Sequence, residues 1–98
     1  MHKEELKRLS ESEQRDITKA SREGILVNYI SDRAMEIQRE DDGSIKKIIF
    51  TIGGPNVWLD FVDYPGFIIS AYMTEQEKSG IPWADWDVIK EELEELYV

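Results

Sequence analysis

The chain has 98 residues, with 21 acidic and 12 basic side chains and a formal net charge of −9. At 41% hydrophobic and 34% charged it is too apolar for a disordered chain, and its length suits a single domain. The absence of cysteine excludes disulfides and thiolate metal sites, and a reducing cytoplasm is the natural compartment. No apolar run is long enough for a membrane span. The segment Met1-His2-Lys3-Glu4-Glu5-Leu6 has no apolar core of a secretory signal.

The charge is uneven. Residues 45–98 carry 10 acids against 4 bases, and residues 1–44 carry 11 against 8. Such a field opposes direct binding of phosphate backbones and anionic membranes, and it favours a basic protein partner. An acidic surface that serves only solubility accounts for the same sum.

The first forty residues read as helical. Leu6 and Leu9 suit a short N-terminal turn, and Ser10-Glu11-Ser12-Glu13 has the form of a capping box opening a second segment. That segment, to about Arg22, offers only Ile17 and Ala20 as a stripe, and Gly24 either bends the chain or separates two helices. Leu26, Ile30, Ala34 and Ile37 then recur at spacings of four, four and three, which predicts an amphipathic helix from Ile25 to Arg39. A strand beginning at Ile25-Leu26-Val27 is the competing reading. Asp41-Asp42-Gly43-Ser44 is a stop signal.

The period changes to two after that stop. Ile48, Phe50 and Ile52 alternate with Lys47, Ile49 and Thr51. Val57, Leu59 and Phe61 alternate with Trp58, Asp60 and Val62. Phe67, Ile69, Ala71 and Met73 alternate with Ile68, Ser70 and Tyr72. These runs predict a three-stranded antiparallel meander over residues 45–73, with Ile49, Ile68 and Tyr72 on its outer face. Gly53-Gly54-Pro55 reads as a bulged connection, because a strand rather than a helix N-terminus comes after it. Asp63-Tyr64-Pro65-Gly66 has Pro and Gly where a type II turn requires them. Thr74 to Gly80 reads as a polar loop. Residues 82–97 form the last helix, with Trp86, Ile89, Leu93, Leu96 and Tyr97 as its core stripe. The fold class is α+β, one domain over residues 1–98.

Chemistry is sparse. His2 is the lone histidine and lies at a terminus, where a mobile end is the default. Without Cys or a second His, nucleophile–histidine and zinc arrangements lack their parts. Carboxylates could serve as acid–base groups or ligands of a hard cation. Asp60 and Asp63 are near one another, and Asp85 and Asp87 open the last helix. Ordinary roles compete at each: a solvated strand position for Asp60, a turn for Asp63, a helix cap for Asp85. No catalytic residue, metal or cofactor is therefore assigned. Of Trp58, Trp83, Trp86, Tyr64 and Tyr72, most suit a core. Trp83 lies off the helical stripe and is the candidate exposed anchor.

The last helix is the most suggestive element. Asp85, Asp87, Glu91, Glu92, Glu94 and Glu95 are opposed only by Lys90, and the acid at its C-terminal end opposes the helix dipole. Carboxylates in a row on a rigid helix can occupy a groove built for nucleic acid, although a solvated face is the commoner role. Candidate partner-binding residues are therefore these six with Trp83, Asp60 and Asp63.

The stretch Ile48-Ile49-Phe50-Thr51-Ile52-Gly53-Gly54-Pro55-Asn56-Val57-Trp58-Leu59-Asp60 resembles a strand–Gly-Gly-Pro–strand signature of small acidic proteins from phages and conjugative elements. In those a third strand and an acidic C-terminal helix come next, as in Glu91-Glu92-Leu93-Glu94-Glu95-Leu96-Tyr97 here. The resemblance covers residues 45–98. It departs in the third strand, where Ser70-Ala71-Tyr72-Met73 replaces a frequent Trp-Gly pair. Some such proteins are anti-CRISPR or anti-restriction inhibitors. The resemblance therefore implies a non-enzymatic inhibitor of a CRISPR effector or other nuclease complex. An antitoxin, immunity protein or assembly subunit, binding through an apolar or mixed helical surface, is the alternative.

Overall fold

The computed structural model describes residues 2–97. Its elements in chain order are α1 (Lys3–Arg22), α2 (Leu26–Arg33), β1 (Glu36–Arg39), β2 (Ile45–Thr51), β3 (Asn56–Asp60), β4 (Phe67–Tyr72), β5 (Glu75–Gly80) and α3 (Trp83–Tyr97). The five strands form one antiparallel sheet in the order of the chain. The α+β class stands, with five strands where three were expected.

α1 is one continuous helix across the expected break at Ser10. The Ser10 hydroxyl donates to the Lys7 carbonyl inside the helix rather than capping a new one. Glu13 likewise caps nothing. It is buried, accepts from the Tyr29 hydroxyl and pairs with Arg33, which ties α1 to α2. Burial, then the bond to Glu13, pushes the Tyr29 phenol well above its usual pKa. At its C-terminus α1 ends in a paired 6→1 and 5→2 arrangement. Ile25 N–H donates to the Ala20 carbonyl and Gly24 N–H to the Ser21 carbonyl, with Gly24 at φ 76°. This turn drops Leu26 and Ile30 into the core.

The helix expected to reach Arg39 stops at Arg33. Ala34 is extended, and Glu36–Arg39 pair with β2, Ile37 opposite Ile48. Ile37 packs on the core in this strand, as it would have in a helix, so its position in the apolar stripe did not separate the two conformations. The backbone partners offered by β2 decide it.

Thr74 to Gly80, expected as a loop, contains β5. A two-residue connection at Met73-Thr74 turns the chain back, and Glu75–Gly80 pair with β4 along its whole length. Alternation persists in a polar strand: Glu75, Glu77 and Ser79 are half-buried while Gln76, Lys78 and Gly80 are exposed. α1 lies against β4 and β5.

The core collects Ile48, Phe50, Val57, Leu59 and Ile68 from one sheet face with Ile17, Leu26, Ile30, Trp86, Ile89 and Leu93 from the helices. Ile68, expected outward, is inward and fully buried. Registers of Ile48 with Leu59 and of Leu59 with Ile68 put all three on one face. The other face carries Ile49, Trp58 and Ile69 in one row and Lys47, Asp60 and Phe67 in the next. Lys47 and Lys78 lie over the rings of Trp58 and Phe67, at 4.7 and 5.7 Å from the centroids. Ile52 leaves the sheet and is 59% exposed, after a register shift between Ile49 and Thr51. Gly53 comes next at φ 121°, consistent with the bulged connection read from Gly-Gly-Pro. Gly66 lacks the positive φ that a type II turn requires at its third position, so the expected turn does not form. His2 is packed rather than loose, its ring edge-on to Tyr72 at 4.6 Å. Among the described residues no helix is long and apolar enough to cross a membrane.

Candidate functional site

α3 begins where Pro82 can add no N–H of its own but supplies a carbonyl. That carbonyl accepts from Asp85 N–H at 2.9 Å and from Trp86 N–H at 3.0 Å. Trp86, Ile89 and Leu93 then bury one stripe of the helix. Trp83 sits at the first helical position, away from that stripe, and is 60% exposed.

Trp83 does not stand alone. The loop between β3 and β4 brings Tyr64 against it, with ring centroids 4.8 Å apart and planes tilted by 56°. The Tyr64 hydroxyl donates to Asp87 Oδ1 at 2.6 Å, one turn along α3 from Trp83. That bond, together with the lesser effects of burial and charge, raises the Tyr64 pKa. Tyr64 is 54% exposed; the sequence reading put it in a turn and among five aromatics of which most suit a core, and singled out only Trp83 as an exposed anchor. The signal that could have found it is local: Tyr-Pro-Gly between two strands is turn chemistry, and turn side chains face solvent.

The outer face of α3 continues from this pair through Asp87, Val88, Glu91 and Glu95, all exposed. Glu92 and Glu94 are half-buried on its flanks. Val88, Glu91, Glu92 and Glu95 line a shallow hollow. Asp63 is exposed in the same loop as Tyr64. Asp60 is half-buried on the sheet face opposite the core and accepts from Val62 N–H at 2.7 Å.

Asp85 is different from the rest. It is buried, and Arg22 reaches it from the end of α1 with two bonds, Nε to Oδ1 at 3.0 Å and Nη2 to Oδ2 at 2.8 Å. The guanidinium beside it holds its carboxyl below the usual range. The chain thus brings Trp83 and Asp87 against Tyr64, sets Glu91 and Glu95 further along the same exposed side of α3, leaves Asp63 exposed in the loop, and turns Asp85 into the fold.

This arrangement is an acidic surface with an exposed aromatic pair at one end. Among the described residues no group of three or more His, Cys, Asp and Glu side chains could hold a metal ion. No family model matches the chain, and neither a curated protein nor a solved structure is similar to it.

Proposed function

We propose that the protein is a non-catalytic inhibitor from a phage or mobile element. It binds the basic nucleic-acid groove of a host nuclease complex, with a CRISPR effector as the first candidate, and blocks it sterically and electrostatically. The observation that carries this reading is the outer face of α3. Asp87, Glu91 and Glu95 lie exposed along one helical row beside an exposed Trp–Tyr pair, with no basic residue in the last turn. A row of carboxylates on a rigid helix opposes a groove shaped for phosphates, and aromatic side chains supply the area that charge alone lacks. The Gly-Gly-Pro resemblance points the same way.

The test is capture by the tagged protein from cells carrying CRISPR effector and restriction complexes, washed at low and at high salt. A nuclease complex retained at low salt and released at high salt is expected. Reversal of Glu91, Glu94 and Glu95 to Lys is expected to weaken inhibition. Inhibition left intact by the triple reversal rules out the acidic-face mechanism.

A second reading, an antitoxin, immunity or assembly protein, draws on the apolar side chains around α2. Ile25, Val27 and Met35 are 49%, 37% and 62% exposed. It expects a single small partner whose capture resists high salt and is lost on Val27→Glu with Met35→Glu.

A further inference from the structure

We propose that Tyr64 and Trp83 form an arginine-reading anchor, at which the acidic face of α3 takes one guanidinium group of a basic protein partner. The inference rests on the reading of that face as the partner-binding surface, and it names the chemistry that the face selects.

Three observations converge. The two rings touch each other and still leave more than half of each residue exposed, so an aromatic wall faces outward. Aromatic residues left in solvent at this scale are the kind that anchor interfaces. The wall is bordered by carboxylates: Asp87, bonded to the Tyr64 hydroxyl, Glu91 one turn further along α3, and Asp63 next to Tyr64 in the loop. Among the described residues no ion pair engages any of these three. Finally, Val62 and Val88 are 65% and 55% exposed beside the same loop and helix, which gives the stem of an incoming side chain apolar surface to lie on.

Arginine fits this combination better than lysine. A guanidinium stacks its plane on an aromatic ring while its edge donates two parallel hydrogen bonds to a carboxylate. An ammonium is a compact, strongly hydrated charge that gains less from a ring face. An apolar anchor would leave Asp87 and Glu91 without a cationic partner on binding. The Tyr64–Asp87 bond also fixes that carboxylate before any partner arrives, so less ordering remains to be done.

The experiment uses the full chain labelled with 15N, titrated with two peptides of equal length and charge, one of alternating Arg and Gly and one of alternating Lys and Gly. The Trp83 indole signal is assigned from Trp83→Phe. The arginine peptide is expected to move the Trp83 indole and the Tyr64 and Asp87 amides, and to bind several-fold more tightly than the lysine peptide. Trp83→Ala is expected to weaken the arginine peptide by about 30-fold, with Trp83→Phe recovering most of it. Unchanged melting of each variant shows that the loss is one of binding.

Two results overturn the anchor. One is equal binding of both peptides, indifferent to Trp83→Ala but lost on reversal of Glu91 and Glu95. That outcome leaves the acidic face in place and removes its arginine preference. The other is the absence of any Trp83 shift with either peptide. Binding lost on Trp83→Ala yet unmoved by the Glu91 and Glu95 reversals keeps the anchor and rejects the electrostatic mechanism proposed for α3.

Discussion

Arg22 and Asp85 lie 63 positions apart in the chain and form a two-bond ion pair that fastens the end of α1 to the first turn of α3. The two sides of the pair are unequally placed. The Arg22 side chain is 64% exposed, while that of Asp85 is 11% exposed. Asp85 also stands in the first turn of α3, where the helix dipole favours a negative charge.

That asymmetry sets an order for two variants. Asp85→Ala releases an exposed guanidinium to water and is expected to cost about 1 kcal/mol. Arg22→Ala strands a nearly buried carboxylate and is expected to cost more. Thermal melts check the order, and an Asp85→Ala loss that exceeds the Arg22→Ala loss contradicts it. The pH dependence has a definite sign. The folded carboxyl of Asp85 titrates below its unfolded value of about 3.9, so the pair's contribution is complete above that value. It fades as pH falls through the lower folded value. Between wild type and Asp85→Asn, the stability gap should therefore narrow in acid and stay level near neutrality. Asp85 variants that retain the fold are expected to bind a partner as well as wild type, since this carboxylate faces Arg22.

A second constraint joins Gly66 to Trp86. A Cβ on Gly66 would come within 2.3 to 2.7 Å of three atoms of the Trp86 ring, which is fully buried and edge-on to Phe61 at 5.3 Å. The loop that carries Tyr64 therefore rests directly on the indole, and Gly is the residue that permits it. Gly66→Ala is expected to destabilise by about 1–3 kcal/mol through overpacking. Combined with Trp86→Leu, which removes the obstructing ring, it should cost less than the sum of the two single changes. Additive losses in the double-mutant cycle would show that the loop relaxes elsewhere. Because Tyr64 sits two residues away, Gly66→Ala should also shift the Trp83 indole signal.

These relationships differ in how far the sequence discloses them. Trp86, Ile89 and Leu93 announce a buried stripe by spacing alone, although Leu96, expected on it, is exposed, and Trp83 falls off that stripe, so its exposure is legible. Ile37 is not legible in the same way. It lies inward in both a helix and a strand, and only the backbone of β2, distant in sequence, selects the strand. β5 is hidden for a related reason. Its Glu-Gln-Glu-Lys-Ser-Gly run has little strand preference, and its place comes from pairing with β4 and from α1 beside it. Asp85 reads as one of six similar acids, with a helix cap as its local alternative; Arg22, which turns it into the fold, lies 63 residues away.

The turn that creates β5 gives the last prediction. Met73 adopts φ 55°, the left-handed region that a side chain with a Cβ disfavours, and it is 87% exposed, so no packing compensates. The hairpin must close there for Tyr72 to pair with Glu75. Asparagine tolerates this backbone region, and Met73→Asn is expected to raise stability by up to about 1 kcal/mol. Met73→Val is expected to lower it, because branching at Cβ makes the left-handed region still less accessible. Gly at this position relieves the same strain but loses part of the gain to the greater freedom of the unfolded chain. Chemical denaturation of the wild type and of the Asn and Val variants checks the order Asn above wild type above Val. A valine variant as stable as wild type would mean that the turn changes conformation at little cost. Neither change touches the outer face of α3, so partner capture should be the same in all three.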